Sequence, residues 1–325
     1  MRFQSVDAKR SLEKAQKDQL ATNLVALSQV VTIPSENSGF DVAKYVLLTI
    51  VAMLAFAANS LLCRLALGQQ LIDAASFTSV RVISGAVTLG LIMLPRWRAG
   101  GRAKVDWRSA AMLFTYMAFF SFAYLSLSAG TGALILFGAV QLTMFIAALR
   151  GGEQFPLLSW AGLALAVIGL VYLVSPGLTA PDPMGAILMA IAGVAWGFYS
   201  LLGRNVADAL EATANNFIYS VPLVIIVSLL FMDKFHSSSS GLALAVVSGA
   251  ITSGLGYVIW YSALRGLTAT RAATVQLSVP AIAAFGGVLL LSEQITLRLA
   301  VASVVTLGGV WIVLAQRAER PVNST

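Results

Sequence analysis

One arginine, Arg81 in "SVRVISG", falls well inside an apolar run of this 325-residue chain. A guanidinium in such a place either gives a counter-charge to a carboxylate-bearing ligand, or bonds nearby carbonyls and snorkels outward. Phenols, indoles and amides recur around it at helical spacing. Tyr116, Phe120 and Tyr124 are four apart, as are Tyr257 and Tyr261, with Trp260 beside them. Residues four apart share one helix face. Phe56 and Asn59 correspond to Trp196 and Tyr199 in a second copy of the same passage, Gln141 lies mid-run and Gln276 early in another. Such groups need partners when buried, and a pocket lined by them binds a small polar or amphipathic molecule. Packing and interfacial belts are the other use of the aromatics. The candidate substrate-binding residues are therefore Asn59, Arg81, Tyr116, Phe120, Gln141, Trp196, Tyr199, Tyr257, Trp260 and Gln276.

These residue types bind rather than make bonds. The chain has no H-E-x-x-H, G-x-S-x-G or P-loop motif. Its single histidine, His236 in "DKFHSSSSG", reads as a solvated loop residue, and its single cysteine, Cys63, rules out an intrachain disulfide. "SGLGY" at 253–257 lacks the third glycine of a nucleotide fingerprint and reads as close helix packing. All fourteen acidic residues lie outside the apolar runs or at their edges, which argues against a buried carboxylate relay of the kind proton antiporters use. No catalytic residue, metal or cofactor is expected.

Two further pairs stand out. "SLLCR" at 60–64 returns as "SLLGR" at 200–204, and "GGEQ" around Glu153 returns as "LSEQ" around Glu293, both 140 residues on. Arg64, Glu153, Arg204 and Glu293 thus sit at matched ends of runs. Each glutamate is placed to cap the helix it begins. The alternative is gating, in which Arg64 meets Glu293 on one face and Arg204 meets Glu153 on the other.

The elements that carry these residues are membrane spans. Apolar residues are 58 % of the chain and charged ones 11 %, against about 45–50 % and about 25 % in soluble domains. About 20 apolar residues cross a bilayer as a helix. Ten such runs occur, at 45–66, 74–94, 109–127, 130–149, 157–175, 184–204, 213–232, 242–263, 272–291 and 297–316. The net charge of +7 does not indicate nucleic acid, because the basic residues cluster between runs. With the N-terminus inside, every Lys and Arg except Arg64, Lys234, Arg298 and the in-span Arg81 falls on the cytoplasmic side, as the positive-inside rule requires. Both termini are then cytoplasmic. Residues 1–44 and 317–325 read as cytoplasmic tails, the first a charged, weakly amphipathic arm without signal-peptide character.

Five spans per half is an odd number, so the two copies enter the membrane from opposite sides. The expected fold is an all-α membrane protein of ten transmembrane helices, built from two five-helix inverted-topology repeats, at 45–175 and 184–316. The second half, through "YSAL", the run into Pro280, "LSEQIT" and the closing "GG", resembles the EamA domain of the drug/metabolite transporter superfamily. The first half resembles it through "SVRVISGAVTLGLIM" and "GGEQFPLLSWAGLALAVIGLVYLV", with Arg81 in the place of the family's second-span arginine. Val140 stands where the repeat would put a proline, and the 44-residue tail is also a departure.

The resemblance implies a secondary transporter in the bacterial inner membrane, with spans one to four and six to nine around a cavity and five and ten outside it. Small polar or amphipathic metabolites are the expected cargo, amino acids first, in the export direction, with nucleosides, sugars or drugs as other classes. A membrane enzyme or receptor-like protein is the competing class; it would call for a buried catalytic His, Ser–base pair or metal cluster. The partners expected are a small-molecule substrate and the lipid bilayer, with no nucleic acid. The sequence sets no oligomeric state, and a monomer is compatible with it.

Overall fold

The computed structural model describes residues 38–99, 105–152, 154–177, 179–203, 206–267 and 269–318. Ten helices follow one another: α1 (Ser38–Gly68), α2 (Ala74–Arg98), α3 (Trp107–Ala123), α4 (Ala129–Arg150), α5 (Leu157–Val174), α6 (Pro183–Gly203), α7 (Ala209–Leu230), α8 (Ser239–Leu264), α9 (in two pieces, Ala269–Gln276 and Ser278–Leu291) and α10 (Leu297–Ala318). Among the described residues nine helices are long and apolar enough to cross a membrane. The other, α3, has 17 residues, about 26 Å of helix. It stops at Ala123, four residues before the predicted end, and turns lead to Ser128, which caps α4 through the Thr131 N–H.

Four of the carboxylates at span edges act as caps of the helices they precede. Asp73, Asp106 and Asp208 accept from the first-turn N–H groups of α2, α3 and α7, and Asp182 accepts from Gly185 N in α6. Each satisfies donors that lipid leaves without partners. Outside the caps the helices turn apolar side chains outward, such as Leu91, Ile168, Leu229 and Leu290. This is the surface of a protein dissolved in a bilayer.

Small residues let the helices meet closely. α5 lies along α10, where a Cβ on Gly162 would sit 2.6 Å from Gly309 O. α2 packs on α7, where Gly85 leaves room for the Phe217 ring, and α4 packs on α9, where Gly130 meets Ala284. Each of these pairs joins two helices that the sequence repeat matches to one another.

Two irregularities were not expected. α8 carries a π-helical segment, Ser248–Leu255, and α9 breaks at Leu277. The break has a local cause. Pro280 has no N–H for the Gln276 carbonyl and its ring crowds that turn, so the helix restarts at Ser278 with the proline in its first turn.

Candidate functional site

Arg81 is completely buried, about 10 Å along α2 from its first residue. Its Nε donates to Ser253 Oγ at 3.0 Å, and its Nη2 to the hydroxyls of Tyr116 (3.3 Å) and Tyr257 (3.2 Å). The Tyr257 hydroxyl in turn donates to that of Tyr116 at 3.3 Å. The guanidinium carbon lies 5.0 Å from the centre of the Phe120 ring and 5.5 Å from that of Tyr116, within cation–π range. Nη1 has no hydrogen-bond partner among the described residues.

The π-helical segment places Ser253 at this point. The hydroxyls of Ser248 and Thr252 donate to Asn59 Oδ1 at 2.6 and 3.2 Å, fixing the segment to α1. Gly249 lies directly against the Arg81 carbonyl, with no room for a Cβ. Asn59 is thus a positioning residue in the structure, its oxygen already engaged by α8.

Beyond the arginine the aromatic residues form one cluster. The Trp196 ring centre is 4.8 Å from both Tyr116 and Tyr257, 5.4 Å from Tyr199 and 5.7 Å from Phe56. Phe56 also touches Trp260 at 5.7 Å. Trp196 Nε1 is buried without a partner among the described residues. Tyr199 accepts from Asn216 Nδ2 at 3.4 Å and meets Tyr261, on the edge of the cluster.

Trp260 is the far side of this plug and a wall of a cavity of about 440 Å³. Gln141, Ser200 and Gln276 are its polar lining, and among the described residues no charged side chain lines it. Gln141 Nε2 donates to Ala273 O and Gln276 Nε2 to Ala272 O, both at 3.2 Å; Gln276 Oε1 has no partner among the described residues. The order along α8, from Ser253 through Tyr257 and Trp260 to Leu264, leads from the cation through the plug into the cavity. The cavity reaches Gly151 and Leu264, at the end of the bundle where α4 and α8 finish. Leu163, Ala166, Val310 and Leu314 form one wall, so α5 and α10 border the cavity instead of lying outside it.

The opposite end holds an ion pair. Arg64 Nε donates to Glu293 Oε1 at 3.0 Å, and Arg64 Nη1 to Tyr124 O at 3.3 Å. Glu293 Oε2 accepts from Ala129 N at 2.9 Å. The glutamate therefore caps α4, not α10 as its sequence position implied. The α10 start is served by Thr296, whose Oγ1 accepts from Leu299 N at 3.1 Å. A left-handed Ser292 (φ 54°) at the end of α9 turns the glutamate back. One cluster thus joins α1, α3, α4 and the α9–α10 link. Glu153 and Arg204, the matching pair, lie outside the described residues, as do the tail before residue 38 and residues 319–325.

The sequence-derived candidates divide into three places. Arg81, Tyr116, Phe120, Trp196 and Tyr257 meet at the buried cation, Trp260, Gln141 and Gln276 at the cavity, and Asn59 and Tyr199 at the supports. Ser253 and Ser200 were not among the candidates. Ser253 precedes Tyr257 by four, a signal present in the sequence but obscured by the glycines around it. His236 is exposed in the loop before α8, its N–H donating to Asp73. Among the described residues no group of three or more His, Cys, Asp or Glu converges to hold a metal ion.

Apolar helices around a buried polar centre, with a cavity at one end and an ion pair at the other, are the plan of a membrane transporter. A model of the EamA-like transporter family matches residues 183–315. An uncharacterized protein of Pseudomonas aeruginosa is 50 % identical over 274 residues, 84 % of this chain and 96 % of that one. Uncharacterized transporters of Archaeoglobus fulgidus (24 % identical, over 66 % of this chain and 81 % of the relative) and of Bacillus subtilis (YoaV, 20 %, over 73 % and 85 %) are also similar. A crystal structure superposes with a TM-score of 0.61 over 86 % of this chain and 98 % of its own at 18 % identity, a likeness of fold. The chain belongs to the EamA-like transporter family, and it is an integral membrane transporter.

Proposed function

We propose that this transporter carries small polar or amphipathic metabolites, amino acids first among them, out of the cell across the cytoplasmic membrane by alternating access. The observation that carries this reading is the asymmetry of the bundle, an ion pair at one end and a cavity at the other. The distribution of Lys and Arg sets both termini in the cytoplasm. In that orientation the cavity faces the cytoplasm and the Arg64–Glu293 pair is the closed outer gate, as the loading state of an exporter requires. The two halves, 45–175 and 184–316, act as inverted repeats, which the pairing of α2 with α7, α4 with α9 and α5 with α10 supports. The repeat matches Arg204 and Glu153, outside the described residues, to this pair, and they are the candidates for the inner gate of the opposite state. The cavity size suits a single small molecule.

Counterflow in proteoliposomes tests the reading, with labelled amino acids, nucleosides and sugars, with and without a pH gradient. Saturable exchange of at least one class, abolished when the bundle is locked closed, is the expected result. Exchange no faster than through protein-free vesicles for every class overturns it.

A further inference from the structure

We propose that Arg81 is the seat of a carboxylate on the substrate, so that the centre of the bundle selects small organic acids over their uncharged analogues. This deepens the transport reading and rests on it. The argument is a surplus of donors. Arginine keeps its proton in any protein environment, so a full positive charge is buried here. Its contacts are a serine, two phenols and two ring faces, all neutral. Among the described residues no carboxylate bonds it: Asp73, Asp106, Asp182 and Asp208 cap helices at the span edges and Glu293 holds Arg64.

The hydrogen-bonding capacity left over is all of one sign. Arg81 Nη1 and Trp196 Nε1 are buried donors without acceptors among the described residues. The Tyr116 hydroxyl accepts from both Arg81 and Tyr257, which leaves its own proton to give. Trp196 flanks both tyrosines. Unmet donors around a buried cation match an oxyanion, and a guanidinium fork matches the two oxygens of a carboxylate. The neighbouring cavity has another character: mostly apolar walls, with Gln276 Oε1 an acceptor that has no partner among the described residues. An acid head at Arg81 meets the unmet donors, and an apolar body toward the cavity lies against its apolar walls. The plug of Phe56, Trp196 and Trp260 must part to admit it.

A purely structural arginine would leave the same geometry without this selectivity, and one apolar body in three forms separates the two. Leucine, 4-methylpentanoate and 4-methylpentanamide share their carbon skeleton and differ in charge. Binding to the purified full chain is followed by tryptophan fluorescence and by the shift in melting temperature, and each compound is also tried as a counterflow substrate. The expected result is that at least one of the two acids binds about tenfold or more tighter than the amide. Arg81→Gln should bring acid and amide within about twofold. Arg81→Lys, which keeps the charge but not the fork, should retain a weakened preference and covers the case in which the glutamine variant does not fold. Equal binding of acid and amide, no detectable acid binding, or an acid preference unchanged in Arg81→Gln overturns the carboxylate site. Counterflow of nucleosides or sugars in the same vesicles would then show that transport stands without it.

Discussion

Glu293 engages two partners with two oxygens, and single substitutions separate them. Oε1 meets Arg64, and Oε2 caps α4 at Ala129 N. In Glu293→Gln the amide oxygen can still accept from Ala129 N–H, while the ion pair is lost. In Glu293→Ala both are lost. A partly exposed ion pair contributes about 0–1 kcal/mol and a helix cap about 1 kcal/mol. Thermal melts in detergent should therefore rank wild type, Gln, Ala in falling stability, with each step about 1 kcal/mol or less. If Gln melts with Ala, the cap contributes nothing. Gly287 supplies a second route to the same point, because a Cβ there would lie 2.6 Å from Glu293 Oε2. Gly287→Ala should destabilise by about as much as Glu293→Ala while leaving every charge in place. Sequence located both members of this pair, through the repeat. It could not show which helix the glutamate caps, because that depends on a turn at Ser292 that no local signal marks.

At the scale of helices, the sequence was most informative where lipid imposes a single solution. Uniform apolar runs must be helices, and all ten lie close to the positions their composition predicts. It was least informative where one helix departs from regularity. The π-helical segment of α8 depends on Asn59 of α1, almost 190 residues earlier, and no local pattern marks it. The break in α9 had a visible cause in Pro280, yet the run stays apolar through it. The seam between α5 and α10 shows how fine the positional control is. Gly308 and Gly309 are adjacent in the sequence and look equivalent. A Cβ on Gly309 would lie 2.5 Å from both Gly162 O and Ala166 N, whereas one on Gly308 meets nothing within 4 Å. Gly309→Leu should therefore lose folded protein, at a cost of roughly 3 kcal/mol or more. Gly308→Leu should change stability by less than about 0.5 kcal/mol. Size-exclusion profiles and melting temperatures of the two variants check this, and similar behaviour of both would mean that the seam is not the constraint.

For the whole molecule, the main question is how events at the ion pair reach the buried centre, and one helix face connects them. Arg64 bonds the Tyr124 carbonyl, Tyr124 meets Phe120 edge-on with ring centres 4.8 Å apart, and Phe120 lies under the Arg81 guanidinium. Cys63, the only cysteine of the chain, is fully buried beside Arg64 on α1. The native sequence is therefore already a single-cysteine reporter for opening at this end. If the pair is the outer gate, Arg64→Ala and Glu293→Gln should let a charged, membrane-impermeant thiol reagent added outside intact cells reach Cys63. A loss of about 1.4 kcal/mol from the closed state would raise the open population about tenfold, and about 1 kcal/mol or less is typical of such a pair. Labelling should accordingly rise severalfold and stop near tenfold, while Cys63→Ser removes the signal. Arg96→Ala, which breaks the exposed Arg96–Asp208 pair at the other end of the bundle, should leave outside labelling unchanged. Faster labelling only from the cytoplasmic side of inverted vesicles would reverse the orientation. Unchanged labelling from both sides would leave the ion pair as a brace between α1, α4 and the α9–α10 link, with the gate elsewhere.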